Sequence, residues 1–185
     1  MPEHQLPTDP DTASATAKDA PSDVAAAPLE GISVSEPEDA LPRVTLADLP
    51  QAMHEACARA GWQGLMPVQS LAFPYLLEGR DIMVQSRTGS GKTGCYLLPM
   101  LPRLSADLKA PQALVLAPTR ELAVQVEREA ATLFAGTGIV TVAVYGGVGY
   151  KKQMDALRDG AQLIVGTPGR VLDHLLRRTL DLKDL

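Results

Sequence analysis

The chain has 185 residues and a formal net charge of −5 at pH 7. This length is enough for one sizeable hydrophobic core and excludes two full domains. The start of the chain has neither a basic segment nor an apolar run, and no stretch approaches membrane-spanning length, so we expect neither a secretory signal nor a membrane span. Cys57 and Cys95 are isolated and lack metal-ligand spacing, which favours reduced thiols in a cytoplasmic protein.

Residues 1–42 differ in composition from the rest of the chain. They contain nine Asp or Glu, one Lys, seven Pro and eight Ala, with no aromatic residue, so their net charge is −8. Residues 43–185 carry 13 acidic and 16 basic side chains, a net of +3. Because the first segment buries too little apolar surface to offset the entropy of ordering, we expect a disordered solubilising tail. The alternative is that its acidic side chains bind protein partners or shield the basic part of the chain.

Helical patterns begin the part of the chain that is predicted to fold. The stretch LADLPQAMHEACARAG ends at Gly61, a residue type that often stops a helix. The next stretch, MPVQSLAFPYLLEG, begins with Pro67, which suits the first turn of a helix. Another helix is predicted further along, where apolar residues recur every four positions. Its predicted buried stripe consists of Leu122, Val126, Ala130 and Phe134.

Short apolar runs alternate with these helices and predict strands. They are rich in β-branched residues and bounded by Pro, Gly or Thr, as buried parallel strands are. Strand–helix alternation indicates an α/β fold, a parallel sheet with helices on both faces. In such sheets ligands bind at the carboxyl ends of the strands. The predicted strands are DIMVQ (81–85), ALVLAP (113–118), VTVAVYG (140–146) and QLIVGTP (162–168).

The stretch SRTGSGKT follows the first predicted strand and opens a helical stretch, GKTGCYLLPML, which is the context of a phosphate-binding loop. Glycines let the backbone amides approach phosphate, and the helix N-terminus adds positive potential. Lys92 would reach the β- and γ-phosphates, and the Thr93 hydroxyl would bind Mg²⁺, so we assign these two residues the catalytic role. Ser86 replaces the first glycine of the usual pattern, where a small residue suffices for the turn. The predicted nucleotide-binding residues of the loop are Ser86, Thr88, Gly89, Ser90, Gly91, Lys92 and Thr93.

Three later stretches, APTREL, YGG and VGTPGR, each follow a predicted strand. They supply hydroxyls, glycine amides, Arg side chains and a helix N-terminus, which are groups that bind a nucleic-acid backbone. No aromatic platform accompanies them, so we expect a sequence-independent grip without base stacking. Each stretch taken alone is equally consistent with an ordinary helix start or a surface ion pair. The predicted backbone-binding residues are Pro118, Thr119, Arg120, Gly146, Gly147, Thr167, Pro168, Gly169 and Arg170.

Together, in this order and spacing, these stretches resemble the DEAD-box ATP-dependent RNA helicases of helicase superfamily 2. SRTGSGKT resembles motif I, PTREL motif Ia, GG the glycine doublet and TPGR motif Ib. The resemblance spans roughly Leu46 to Leu185. It implies that residues 43–185 are the front part of a first RecA-like domain, with ATP and Mg²⁺ as cofactors and RNA as the partner.

The resemblance also gives Gln69 a role. In the family, a Gln preceded by Pro and an Ile-like residue reads the adenine edge, and MPVQ provides this pattern here. The alternative is an exposed helix Gln, the commoner state of that residue type. Leu65 and Met66 replace the family's usual Pro-Thr, and Leu46 stands near the place of an aromatic that stacks on adenine. We therefore expect weaker discrimination in favour of adenine than a full motif would give.

The sequence ends at TLDLKDL, ahead of the family's Asp-Glu-Ala-Asp strand, its Ser-Ala-Thr motif and the second RecA-like domain with its arginine finger. The resemblance thus implies a parent protein that unwinds RNA duplexes, while the chain as given is expected to bind nucleotide without hydrolysing it. Two alternatives stay open: a non-enzymatic RNA-binding or regulatory short form, and a superfamily 2 DNA helicase.

Overall fold

The computed structural model describes residues 39–185, so most of the tail predicted at 1–42 lies outside the described residues. Two 3₁₀ turns, at Leu46–Asp48 and Leu101–Arg103, accompany the helices and strands. In chain order these are α1 (Gln51–Arg59), α2 (Pro67–Leu77), α3 (Lys92–Met100), β1 (Ala113–Leu116), α4 (Arg120–Leu133), β2 (Thr141–Val144), α5 (Lys151–Arg158), β3 (Leu163–Gly166) and α6 (Pro168–Leu176).

The three strands form a parallel sheet in the order β1-β3-β2. Leu163 pairs with Ala113 on one side and Thr141 on the other, and Gly166 pairs with Leu116 and Val144. All three strands therefore end level with one another. The segments that follow them begin at the same edge of the sheet.

Hydrophobic clusters cover both faces of the sheet, as the sequence predicted. Leu163 and Val165 on β3 pack into the larger cluster with α1, α3 and α4, whereas Ile164 packs into a smaller one with α5 and α6. This alternation follows from the period of two along a strand. Burying each large apolar side chain stabilises the fold by about 1.5–3 kcal/mol. The fully buried large apolar side chains include Met53, Phe73, Leu97, Leu98, Leu163, Ile164, Val144 and Val165.

The helix boundaries follow local signals. The chain turns at Gly61 with φ of +74°, two residues after α1 ends, and Pro67 is the first residue of α2. On α4 the predicted stripe is partly wrong, because Leu122 is 37 % exposed while its neighbour Ala123 is fully buried. At the first turn of this helix the small Ala side chain, not Leu, faces the sheet. None of the helices between residues 39 and 185 is long and apolar enough to cross a bilayer.

The predicted strand at 81–85 is wrong. The segment is not part of the sheet, and among the described residues no strand pairs with it. Its side chains alternate, with Ile82 and Val84 half-buried and Met83 97 % exposed. The apolar pattern thus places one side of the segment against the protein, but a strand also needs a neighbour to bond its backbone groups.

Candidate functional site

The three stretches predicted to bind a nucleic-acid backbone lie at the carboxyl edge of the sheet. Because β3 is the central strand, the TPGR stretch begins between the PTREL and YGG stretches. Thr167 is half-buried and Arg170 is buried. The exposed members of the set are Pro118, Thr119, Arg120, Gly146, Gly147, Pro168 and Gly169.

Thr119 and Arg120 stand at the start of α4. Thr119 is the N-cap, and its Oγ1 accepts a hydrogen bond from the Leu122 backbone N–H at 3.3 Å, which leaves the hydroxyl proton available to another acceptor. The Arg120 guanidinium carbon lies 4.9 Å from the centre of the Tyr145 ring. Arg120 therefore sits beside the glycine doublet, although a strand separates β1 from β2.

The doublet itself turns sharply. Gly147 has φ of +79°, in the left-handed region that other residues rarely adopt. A Cβ built on Gly147 would lie 3.6 Å from Arg120 Nη1, an ordinary contact. The backbone conformation, rather than crowding, is thus the reason for glycine at this position.

Arg170 occupies a different position from the other predicted backbone-binding residues. It is only 7 % exposed, and its guanidinium carbon lies 4.1 Å from the centre of the Tyr150 ring. One guanidinium nitrogen donates to the Val148 carbonyl at 3.0 Å and another to Gln153 Oε1 at 3.3 Å. These contacts engage the Arg170 side chain within the protein, so the exposed part of the TPGR stretch is Pro168 and Gly169, with Thr167 half-buried.

The loop at 86–93 has the backbone of an anion cradle. Gly89 and Gly91 have φ of +77° and +85°, and α3 begins immediately afterwards at Lys92. Lys92 Nζ folds over the loop and donates to the carbonyls of Ser86 and Arg87, at 2.6 Å each. Ser90 Oγ is buried and lacks a hydrogen-bond partner.

These features fit a triphosphate. An unpartnered buried hydroxyl is costly unless a ligand or another chain segment bonds it. The ammonium group of Lys92 is held only by exposed carbonyls that a phosphate would outcompete as a charged acceptor. Thr93 is half-buried in the first turn of α3, where its hydroxyl suits a cation bound to phosphate. Among residues 39–185, no group of three or more His, Cys, Asp or Glu side chains could hold a metal ion.

Gln69 links α2 to this loop. It is 2 % exposed, its Oε1 accepts from the Met66 backbone N–H at 2.9 Å, and its Nε2 donates to the Gly91 carbonyl at 3.1 Å. Gln69 is therefore buried and is not the exposed helix Gln that the sequence left as the alternative. Leu46, the residue near the expected aromatic position, is half-buried against the core.

Two residues near the site were not singled out from the sequence. Trp62, the single Trp of the chain, packs so closely on α3 that a Cβ on Gly94 would lie 2.5 Å from its ring. The Gly94 position within the helix is the sequence signal, because glycine there permits close approach. Gln153 on α5 is 5 % exposed and donates from Nε2 to the Tyr145 carbonyl at 3.1 Å. A single Gln next to Lys151 and Lys152 gives no signal of burial.

His174, on α6, is fully buried behind the same edge. Its Nε2 lies 3.3 Å from Gln153 Oε1 and its Nδ1 lies 2.8 Å from Thr179 Oγ1. Because an amide oxygen can only accept, the Nε2 atom carries the proton in this arrangement. Burial, followed by the nearby Arg170 charge, lowers the pKa of His174 below its usual 6.5. The ring is therefore a neutral structural element.

Comparison with known proteins gives matches over most of the described residues. The sequence profile described as DEAD/DEAH box helicase matches residues 66–185. The chain is 54 % identical over 133 residues to the ATP-dependent RNA helicase DeaD of Escherichia coli (strain K12), covering 71 % of this chain and 21 % of that protein. It is 46 % identical over 149 residues to the DeaD protein of Haemophilus influenzae, covering 77 % of this chain and 24 % of that protein.

A solved structure shares the fold. The crystal structure of a DEAD box protein from the hyperthermophile Methanococcus jannaschii superposes with a TM-score of 0.69 at 35 % sequence identity. The match covers 75 % of this chain and 38 % of the archaeal chain. The chain thus spans about a fifth to a quarter of the length of the curated relatives it matches.

Proposed function

The chain belongs to the DEAD/DEAH box helicase family, and from that premise we propose that the protein carrying it is an ATP-dependent RNA helicase that grips the RNA backbone. The observation that supports this proposal best is the arrangement of three exposed loops at one edge of the sheet, after β1, β3 and β2. These loops present hydroxyls, amides and one guanidinium, and their half-buried aromatic ring, Tyr145, lies against Arg120, which suits phosphate and sugar rather than bases.

The nucleotide site in this proposal is the loop at 86–93. The amides that follow Gly89 and Gly91 would hold phosphate oxygens, and Lys92, which now bonds the carbonyls of Ser86 and Arg87, would provide the charged donor to the phosphates. The Thr93 hydroxyl would hold Mg²⁺, and a phosphate oxygen would give the buried Ser90 Oγ a hydrogen-bond partner. When bound, ATP would release free energy on transfer of its γ-phosphoryl group to water, and Mg²⁺ would neutralise charge on the phosphates.

Gln69 connects nucleotide binding to the fold. Its carboxamide holds the Gly91 carbonyl on one side and the start of α2 on the other. An adenine edge offers one donor and one acceptor, and the carboxamide keeps one N–H and one oxygen lone pair beyond these two bonds to read it. Weak adenine selectivity is part of the proposal, because Leu65, Met66 and Leu46 stand where the family carries other residues.

The RNA site consists of the three loops. Thr119 donates its hydroxyl proton to a phosphate while still capping α4, and Arg120 offers an exposed guanidinium beside it. The amides of Gly146, Gly147 and Gly169 approach the backbone closely because no side chain intervenes. Clamping one strand this way, together with a second RecA-like domain, strips the partner strand locally.

We further propose that the 185 residues alone hold nucleotide without turning it over, because they contain neither the Asp-Glu-Ala-Asp motif nor an arginine finger. We also propose a cytoplasmic location, for which the two buried free cysteines are the support.

Strand separation tests the helicase proposal. The full-length protein, meaning the product of the complete reading frame that encodes this chain, is mixed with a short RNA duplex and ATP, and release of a labelled strand is followed. We expect release with ATP and none with Lys92→Ala. A DNA duplex of the same sequence is the control, because the 2′-hydroxyl distinguishes the two. Equal separation of both duplexes would instead favour a DNA helicase.

A further inference from the structure

One buried glutamine holds the loop that carries the glycine doublet. Gln153 Nε2 donates to the carbonyl of Tyr145, the residue immediately before Gly146. Gln153 Oε1 accepts from Arg170 at 3.3 Å. The carboxamide orientation is fixed by its neighbours, because a backbone carbonyl only accepts and a guanidinium only donates.

Arg170 holds the other side of the same loop. Its second guanidinium nitrogen donates to the Val148 carbonyl at 3.0 Å. The backbone is therefore tied down both before and after the doublet, at 145 and at 148. Both hydrogen bonds come from two side chains that contact each other, Gln153 and Arg170. Arg170 is also the last residue of the TPGR stretch.

The network continues to the centre of α6. The Nε2 atom of His174 lies 3.3 Å from Gln153 Oε1, so this oxygen has two donors. Gln153, Arg170 and His174 are all less than 10 % exposed. A buried polar network in which each member is satisfied fixes one geometry, because any displacement leaves a buried polar group unpaired.

We propose that Gln153 is a positioning residue for RNA binding, which sets the distance between the glycine doublet and the start of α6. It does not touch RNA itself. Its role is to hold the doublet amides and the amides of the TPGR stretch in one register, so that both contact the same strand. This inference rests on the proposed function.

The test is Gln153→Glu in the full-length protein. The carboxylate still accepts from Arg170 and His174 but cannot donate to the Tyr145 carbonyl, so only the tie before the doublet is lost. We expect the KM for single-stranded RNA in the ATPase assay to rise about tenfold, with the KM for ATP and the kcat at saturating RNA changed less than twofold. We also expect faster hydrogen–deuterium exchange of the amides at 146–150 without RNA.

Gln162 provides a matched control at the opposite end of the sheet. It is fully buried, accepts from the Val140 N–H at 2.8 Å and donates to the Leu108 carbonyl at 3.1 Å. Gln162→Glu should lower the Tm like Gln153→Glu but leave the KM for RNA unchanged. If Gln153→Glu raises the KM for RNA no more than Gln162→Glu, or leaves exchange at 146–150 unchanged, the positioning role is wrong. A wild-type ATPase that ignores RNA would instead overturn the proposed function and this role with it.

Discussion

Gln69 and Gly91 are joined by a hydrogen bond from the carboxamide Nε2 to the backbone carbonyl, 3.1 Å long. The bond crosses from α2 to the residue before α3, so the candidate adenine reader also supports the phosphate loop. A change at Gln69 should therefore affect the binding of every nucleotide, whatever its base. Comparing ATP with GTP separates a loss of base selectivity from a general loss of nucleotide affinity.

Gln69→Leu should weaken both ATP and GTP binding, because it leaves the Met66 N–H without its partner and removes one of the two N–H donors to the Gly91 carbonyl, which keeps the Cys95 N–H. We expect a loss of about tenfold for GTP and a larger loss for ATP, since an unpaired buried group costs about 1–3 kcal/mol. Competition titrations against a fluorescent nucleotide measure both. If the wild type binds all four nucleoside triphosphates with comparable affinity, Gln69 is not a base reader.

Gly94→Ala should destabilise the fold. An added Cβ would lie 2.5 Å from the Trp62 ring and 2.7 Å from Gln69 Nε2, so one of these side chains must move. In an uncrowded helix the same change stabilises by roughly 0.5–1 kcal/mol, whereas overpacking costs about 1–3 kcal/mol. Urea unfolding measures the difference. Gly64→Ala is the control, because nothing lies within 4 Å of its Cβ; equal stability of the two variants would contradict the packing described.

Arg120 and Arg170 should respond oppositely to replacement by Ala. Arg120 is exposed, so its loss should change the free energy of unfolding by less than about 0.5 kcal/mol. It should weaken RNA binding and reduce the slope of log affinity against log salt concentration by about one. Arg170 is buried and bonds Gln153 and Val148, so its loss should cost about 1–3 kcal/mol. Thermal unfolding compares the stabilities of the two variants, and RNA titrations at several salt concentrations compare their RNA affinities. A stable Arg170→Ala protein would show that the buried contacts contribute little.

His174 should make stability depend on pH. Because burial lowers its pKa in the folded state, the unfolded chain binds a proton more readily, and the free energy of unfolding falls as the pH drops below about 6.5. One proton gives a slope of at most about 1.4 kcal/mol per pH unit. Urea unfolding between pH 7.5 and 5.5 should show this slope in the wild type and a smaller one in His174→Gln. Identical slopes would mean that His174 does not titrate in this range.

The sequence predicted the paired strands well because β-branched runs bounded by turn residues are buried on both faces, as at 163–166. It also predicted that the loops after these strands lie together, because parallel strands have their carboxyl ends at the same edge of the sheet. It was wrong for 81–85, where the apolar residues are present but pairing depends on a neighbour that a local pattern does not reveal.

The position of each site side chain was less predictable. Arg170 and Arg120 both follow a strand, yet one is buried against Tyr150 and the other is exposed. The difference comes from α5, which places Gln153 and Tyr150 next to α6. Such contacts join residues about 20 positions apart, and no local pattern records them.

Steady-state ATP hydrolysis by the full-length protein, with and without single-stranded RNA, tests most directly whether the protein is an RNA-dependent ATPase that uses the loop at 86–93. We expect RNA to increase the turnover rate and Lys92→Ala to abolish hydrolysis under both conditions, because Lys92 is the charged group proposed to reach the phosphates. RNA-stimulated hydrolysis that survives in Lys92→Ala would show that the loop at 86–93 is not the site of ATP hydrolysis.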